Sequence, residues 1–187
     1  MANPAKRLFV SFAKWIAPFV YDRRYLTGKH FLPGQQGWRW VAKGIWFQKI
    51  LGFNRNVPWP IHPNFLVSDP KNLHFHPDDL HNFQSFGCYF QNFSASIRIG
   101  KGSYIAPNVG LITANHDPES PSKHLPGKSI ELGENCWIGM NAVILPGVIL
   151  GPHTIVGAGA VVSKSFPEGY CTLVGVPARK LHDKEFK

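Results

Sequence analysis

The side chain best suited to proton transfer in this chain is histidine, which occurs nine times in 187 residues. An imidazole changes charge near neutral pH, so it can take a proton from a substrate or, when neutral, bind a metal ion. His116 stands between Asn115 and Asp117 at the start of a segment rich in proline, serine and charged residues, which is typical of a protruding loop. Taken alone, such a histidine could equally be a solvated surface residue. What it can do depends on the elements that hold the loop.

Those elements follow a six-residue period. Apolar residues recur at this spacing on both sides of the loop, at Ile99, Ile105, Leu111, Leu132, Ile138, Ile144, Leu150, Val156 and Val162. A period of six fits neither an α-helix nor the two-residue alternation that a β-sandwich requires. It is typical of a hexapeptide β-helix, in which three short sides form one triangular coil. Equivalent residues then stack three sides apart, so Ile138 should lie under Val156.

The period also predicts how the chain is divided. Residues 1–62 read as an aromatic, basic, helical extension, with helices near 6–25 and from Trp38 to Leu51. Residues 63–170 read as the β-helix, with irregular first coils from Phe65 to Gln91 and the protruding loop at 113–129. Residues 171–187 read as a strand followed by a short helical tail. The second helix should turn one side inward, formed by Trp38, Val41, Ile45 and Gln48.

The excess positive charge is confined to the extension. Residues 1–60 hold ten Lys or Arg against a single acid, Asp22, whereas the remainder holds ten of each sign. This asymmetry, together with five of the six tryptophans, favours an anionic membrane surface over nucleic acid as a contact for residues 1–51. Packing of these aromatic residues against the coils or between subunits is the alternative.

Several features favour a cytoplasmic protein. The longest apolar run of the extension, Trp15 to Tyr21, is too short to span a bilayer, and Lys14 interrupts any signal-peptide core. The three cysteines, Cys88, Cys136 and Cys171, are widely spaced and contain no Cys-x-x-Cys pair. We therefore expect reduced thiols that bind no metal.

Six segments carry a resemblance to a known family. They are Ile105-Ala-Pro-Asn-Val109, Asn115-His116, Cys136-Trp-Ile-Gly139, Ile144-Leu-Pro-Gly-Val148, Val156-Gly-Ala-Gly-Ala-Val-Val-Ser-Lys164 and Gly175-Val-Pro-Ala-Arg179. Over roughly residues 89–182 the chain resembles the hexapeptide-repeat acyltransferases, within the branch of galactoside, maltose and capsular polysaccharide O-acetyltransferases. The resemblance does not reach residues 1–60.

The resemblance implies an all-β core that forms a left-handed parallel β-helix, a homotrimer, and acetyl-CoA as the donor with no metal. The implied reaction moves the acetyl group directly to a hydroxyl of a sugar or polysaccharide precursor in a ternary complex. His116 would be the general base, and a backbone N–H at the Gly139-Met140 turn would stabilise the oxyanion. Acceptor contacts would come from Asn92, Asn115 and Asp117. The coenzyme would contact Trp137, Met140, Ala158, Ser163, Lys164 and Arg179.

Other functions are compatible with the same residues. An N-acetyltransferase acting on a nucleotide-linked amino sugar would use the same base and donor. A gamma-type carbonic anhydrase would need three zinc-binding histidines, two of them five positions apart, a spacing that His76 and His81 have but His116 lacks. A β-helix without catalytic activity is the third alternative. The family often carries a second arginine three positions after the first, where this chain has His182.

Overall fold

In the computed structural model, residues 4–183 are described, with side chains from Val10 to Leu181. The extension contains helix α1, Pro4–Val20, and helix α2, Gly37–Gly44, which continues as a π-helical turn over Ile45–Ile50. Short 3-10 turns lie at Arg23–Tyr25 and Lys29–Phe31. The first helix runs through Pro18 and ends at Val20, earlier than predicted.

Short strands build the rest of the described chain. They are β1 Leu66–Val67, β2 Leu73–His74, β3 Tyr89–Gln91, β4 Ile97–Ile99, β5 Tyr104–Ile105, β6 Gly110–Ile112, β7 His116–Asp117, β8 Ser120–His124, β9 Ile130–Leu132, β10 Trp137–Ile138, β11 Val143–Ile144, β12 Ile149–Leu150, β13 Ile155–Val156, β14 Val161–Val162, β15 Cys171–Val174 and β16 Arg179–Asp183.

Three parallel sheets form the sides of a left-handed β-helix. Sheet I has the order β1-β3-β6-β11-β14, sheet II β2-β4-β9-β12, and sheet III β5-β10-β13-β15-β16. Every predicted hexad residue is buried, and Ile138 pairs with Val156 in the next coil. The predicted fold is confirmed, because only a six-residue side returns the same position to the interior at each strand.

Side chains close the first coil where a strand is missing. A 3-10 segment, Pro77–Gln84, lies where sheet III would have a strand below β5. The Asn82 amide donates to the Ser103 carbonyl and accepts the Ile105 N–H, both at 2.9 Å. Asp79 Oδ2 accepts the Gly102 N–H at 2.9 Å. These bonds satisfy backbone groups that an open sheet edge would leave unpaired, so the irregular first coils cap the β-helix as expected.

The other end of the β-helix differs from the prediction. Strand β15 pairs in parallel with β13, but the expected helical tail from residue 178 is wrong within the described residues, because Arg179–Asp183 forms strand β16. Strand β16 runs antiparallel to β15, which gives the last edge of sheet III a backbone partner that a helix could not supply. The predicted tail beyond residue 183 lies outside the described residues.

Helices α1 and α2 pack on each other through Ala13, Ala17, Tyr21, Val41, Ala42 and Ile45. The predicted inward side of the second helix is confirmed, and its last member, Gln48, is fully buried. Gln48 Oε1 accepts hydrogen bonds from the Tyr21 hydroxyl and the Ile61 N–H, both at 3.0 Å. These bonds join the helices to the chain that enters the β-helix.

Candidate active site

The predicted loop is a β-hairpin at the edge where the chain passes from sheet I to sheet II. Strands β7 and β8 pair antiparallel between β6 and β9. The base of the hairpin is fixed by the buried residue Gln91, whose carbonyl accepts the Thr113 hydroxyl at 2.7 Å and whose side-chain oxygen accepts the Ala114 N–H at 2.9 Å. The returning strand closes on the same point, since the Lys128 N–H donates to the Thr113 carbonyl at 2.7 Å. The hairpin is therefore a rigid support.

His116 is exposed at the start of this hairpin, and its ring orientation is fixed. The Nδ1 atom lies 2.6 Å from the Pro121 carbonyl oxygen. A carbonyl oxygen can only accept, so this contact assigns the hydrogen to Nδ1 and leaves the Nε2 lone pair available in the neutral ring. The ring also packs on His124, with centroids 4.2 Å apart. This is the tautomer that a general base requires.

The two residues that flank His116 shape the hairpin. The Asn115 carbonyl accepts the Leu125 N–H at 2.9 Å, and Asp117 Oδ1 accepts the Glu119 N–H at 2.9 Å. The Asn115 residue is exposed, and Asp117 is half-buried. Both lie beside the predicted base, where an acceptor would have to bind.

Asn92 does not fit its expected role. The residue is fully buried, its Oδ1 accepts the Asp69 N–H at 3.0 Å, and its Nδ2 donates to the Asp69 carbonyl at 2.7 Å. A buried amide whose oxygen and nitrogen both bond to one backbone segment cannot contact an acceptor in this structure. The expectation is corrected: Asn92 holds the turn that follows β1, at Asp69, and fixes the geometry of that corner.

The predicted oxyanion turn lies at a different edge, where the chain passes from sheet III to sheet I. The Ala142 N–H donates to the Gly139 carbonyl at 3.2 Å, and Asn141 has a left-handed φ of 61°, as in a type II turn. The Gly139 N–H donates to the Val156 carbonyl at 2.8 Å, so it is already used. Of the two predicted donors, only the Met140 N–H is left without a bond to another described residue.

Equivalent turns recur along this edge, one in each coil. The residue that corresponds to Met140 is Pro107 in the preceding coil and Ala158 in the following one. Proline has no N–H, so a backbone donor begins at Met140. Along this edge, the residue type at each equivalent turn position therefore decides whether a backbone N–H is present: Pro107 lacks one, whereas Met140 and Ala158 have one.

The predicted coenzyme contacts separate into two groups. Trp137, Met140 and Ala158 lie exposed at the sheet III/I edge, and Arg179 directly follows the last turn there. Ser163 and Lys164 are exposed at the sheet I/II edge, on the same side as His116. One side of the prism separates the edges, roughly 15–20 Å at ~3.3 Å per residue. The predicted coenzyme contacts of one subunit therefore lie at two separate edges.

Metal-binding and thiol chemistry have little support in the described part of the chain. No three His, Cys, Asp or Glu side chains within residues 4–183 are grouped closely enough to hold an ion. All three cysteines are buried, and burial raises the pKa of the Cys88 and Cys136 thiols. The His81 ring packs against the rings of His30 and Tyr104, with centroids 5.5 Å and 4.4 Å away.

Two features of the site were not predicted from the sequence. The ring of Phe93 packs edge-on against His124 with centroids 5.0 Å apart, although the two are 31 positions apart in the numbering. Gln91 anchors the hairpin from the preceding coil. The only available signal was the six-residue register, which places residues 91–93 one coil before residues 112–114.

Comparisons with known proteins agree with this fold. Residues 129–164 match the family model described as bacterial transferase hexapeptide (six repeats). A galactoside acetyltransferase solved in complex with coenzyme A superposes with a TM-score of 0.51 at 22% identity, covering 99% of this chain and 88% of that one. At this level of identity the likeness shows the fold alone.

Two sequence relatives are closer. A galactoside O-acetyltransferase of Lactococcus lactis is 32% identical over 144 residues, and a Schizosaccharomyces pombe protein provisionally named an acetyltransferase is 37% identical over 140. Each match spans 73% of this chain and 65% of the relative, so the chain covers slightly less than two thirds of their length.

Proposed function

We propose that this chain, a hexapeptide-repeat β-helix protein similar in sequence to sugar O-acetyltransferases, transfers an acetyl group from acetyl-CoA to a hydroxyl of a sugar. The observation that carries the proposal is His116, displayed on an anchored hairpin with its Nδ1 hydrogen bonded to the Pro121 carbonyl. The acetyl-CoA requirement would confine the reaction to the cytoplasm.

In the proposed reaction, Nε2 of His116 takes the proton of the acceptor hydroxyl as its oxygen attacks the thioester carbonyl carbon. The resulting oxyanion accepts a hydrogen bond from the Met140 N–H, which has no other partner among the described residues. Collapse of the tetrahedral intermediate reforms the carbonyl and breaks the C–S bond. The proton held on Nε2 then passes to the coenzyme A thiolate, so the base is regenerated without a covalent enzyme intermediate.

The donor would lie across both half-sites. Trp137 offers an exposed apolar surface beside the turn, and Arg179 and Lys164 are exposed cations that can meet phosphate groups. Met140 and Ala158 would flank the pantetheine arm, with Ser163 beside Lys164. This division of the contacts requires the I/II edge of one subunit to face the III/I edge of another.

A homotrimer provides that arrangement, and the outer surface of sheet I supports it. The outward column of sheet I is uncharged, consisting of Leu66, Tyr89, Gly110, Val143 and Val161. The matching column of sheet II contains His74, Arg98, Glu131 and Ile149. Placing sheet I toward a threefold axis buries the uncharged column and brings the two different edges together in a closed ring.

We also propose that the extension contacts an anionic membrane. Phe12, Trp15 and Phe19 are 52%, 69% and 76% exposed on the side of α1 opposite the packed residues Ala13 and Ala17. A helix that is apolar on two sides needs a second partner, and the excess of basic residues in the extension favours anionic lipid. Trp38 and Trp40 of the second helix pack on Phe31 and His30 and are not part of this exposed surface.

The membrane proposal is tested with vesicles. No helix among the described residues is long and apolar enough to cross a bilayer. The protein should sediment with phosphatidylglycerol-containing vesicles at low salt, and Trp15→Ser with Phe19→Ser should reduce the bound fraction. Tyr170→Ser, which removes an exposed aromatic residue from the β-helix, is the matched control. Equal recovery in the supernatant with neutral and anionic vesicles would overturn the proposal.

The activity is tested by thiol release from acetyl-CoA with a panel of methyl glycosides, nucleotide sugars and polyprenyl-linked glycans. His116→Ala should lower turnover by about 10²–10⁴-fold and leave coenzyme A affinity unchanged, because it removes a base but no donor contact. His74→Ala is the control for loss of an exposed histidine. Near wild-type turnover by His116→Ala would contradict the mechanism, and acylation of amino sugars alone would reassign the acceptor atom to nitrogen.

A further inference from the structure

We infer that Phe93 and His124 form a surface on which the ring of the sugar acceptor stacks, directly beside the base His116. This inference rests on the proposed function and adds a binding surface to the same site. It concerns the apolar face of a pyranose, whereas the proposed function concerns the hydroxyl and its proton.

Phe93 is not required by the fold. Its ring is 44% exposed at the sheet I/II corner of the coil that precedes the hairpin. The sheet register places Ala114 and Gly147 at the same corner in the next two coils, so the β-helix is built there with small residues. An exposed phenyl ring at this corner contributes nothing to the stacked interior and leaves apolar surface in water. Burial under a ligand would recover that free energy.

The position of Phe93 is fixed relative to the base. Its ring meets the His124 ring at 76° with centroids 5.0 Å apart, and the His124 ring packs on His116 with centroids 4.2 Å apart. The hairpin that carries both histidines lies tightly on the corner that carries Phe93, since a Cβ added at Gly127 would clash with Ser94 Oγ. Phe93, His124 and His116 therefore form one continuous aromatic row that ends at the base.

The chemistry of this row suits a sugar ring. A pyranose presents axial C–H groups on one face, which pack on an aromatic surface, while its hydroxyls project from the rim. A sugar stacked on the face of Phe93 would have the His124 ring almost perpendicular beside it and its hydroxyl rim next to the histidine pair that includes His116, and Asp117 could accept a further hydroxyl. A straight-chain alcohol has no such face, so the row would favour cyclic acceptors.

Steady-state kinetics with six methyl glycosides test the inference. For those that wild type acetylates, Phe93→Ala should raise the acceptor KM by about 5–10-fold, as expected for the loss of one stacked ring. It should leave kcat within about threefold and the acetyl-CoA KM unchanged, and Phe93→Tyr should restore the acceptor KM. The slow release of thiol to water without acceptor should depend on His116 and not on Phe93.

The matched control is Tyr170→Ala, because Tyr170 is an exposed aromatic residue stacked on His153 at the sheet II/III edge, away from the hairpin. Turnover by Phe93→Ala with an unchanged acceptor KM would overturn the stacking surface alone. An equal rise in the KM of a straight-chain alcohol and of the glycosides would also overturn it. Failure of wild type to acetylate any member of the full panel of methyl glycosides, nucleotide sugars and polyprenyl-linked glycans would overturn the proposed function, and the stacking surface with it.

Discussion

The two edges that border sheet I are built on the same coils but differ in how they depart from the repeat. At the III/I edge the chain keeps a tight turn in every coil, and the proposed functional group is a backbone N–H whose direction the turn dictates. At the I/II edge one coil is interrupted by residues 113–129, and the proposed functional group is a side chain presented on the added hairpin. The regular turn thus presents a backbone N–H in a fixed direction, whereas the inserted hairpin presents a histidine side chain that can take up a proton. Under the proposed mechanism, neither edge alone would catalyse the reaction.

The largest effect is expected when two inactive variants, each lacking the functional group of one edge, are mixed in the same trimer. His116→Ala removes the base, and Met140→Pro removes the turn N–H, which Pro107 shows is compatible with an equivalent turn. Each variant alone should be nearly inactive. If the site combines edges from different subunits, randomly mixed trimers should regain about a quarter of wild-type activity, because a quarter of the sites pair two intact edges.

Mixing after folding provides the control for that experiment, since preformed trimers that do not exchange subunits should stay inactive. Ala158→Pro changes the next turn along the edge and tests whether the donor is specifically at Met140. Persistent inactivity of mixed trimers assembled together, with each parent folded, would mean that both groups act within one subunit.

A charged residue introduced into the uncharged column of sheet I should disrupt the proposed trimer, whereas the same change in the column of sheet II should not. Val143→Lys places an ammonium group in the proposed interface, where burial without a partner is costly. We expect the trimer to dissociate at micromolar concentration, as measured by light scattering, and activity to fall with it. Glu131→Lys is the matched change on sheet II and should leave the mass unchanged. Dissociation by Glu131→Lys alone would point to sheet II as the interface.

The cations at the two edges should affect the donor and not the acceptor. Arg179→Ala and Lys164→Ala should each raise the KM for acetyl-CoA by about 3–10-fold, the loss expected for one charge-assisted contact to phosphate. The acceptor KM should remain unchanged. Dephospho-coenzyme A thioesters identify which cation meets the 3′-phosphate, since the corresponding variant should then discriminate less between the two donors. If the KM for acetyl-CoA were unchanged in both variants, the proposed phosphate contacts of Arg179 and Lys164 would be contradicted.

The smallest effect is expected where the extension meets the first coil, away from both edges. Burial lowers the pKa of His81 to about 4, with Lys29 and His30 contributing in the same direction. Between pH 7 and pH 5 the unfolded chain therefore binds a proton at His81 that the folded chain does not. Stability should decrease on acidification over this range, and the Tm should fall by about 2–4 °C.

His81→Phe should reduce that pH dependence, measured as the difference in Tm between pH 7 and pH 5, and His74→Phe should leave it unchanged. Burial also lowers the pKa of His30, which acts in the same direction, whereas the raised pKa of Asp79 acts in the opposite one. An identical pH dependence in wild type and His81→Phe would place the sensitive group elsewhere.

The sequence predicted the parts of this molecule that repeat. The hexad identified the interior residues, the register of Ile138 with Val156, and the interruption that carries His116, because each repeat must satisfy the same geometry. It could not predict that Asn92 is turned inward or that the Gly139 N–H is already bonded, since both depend on neighbours one coil away. The tail was predicted as a helix because a strand of this composition gains its pairing only from β15, which lies outside any local window.

The two ends of the β-helix also determine that it stays finite. A parallel coil with an open edge is a template on which another chain can add coils in the same register, and such growth leads to fibres. At one end, the Asn82 side chain bonds to the backbone groups of Ser103 and Ile105 that an added strand would need. At the other end β16 reverses the chain direction, so an incoming parallel strand finds no matching pattern of donors and acceptors. Closure of sheet III thus depends on a few terminal groups rather than on the many residues of the interior.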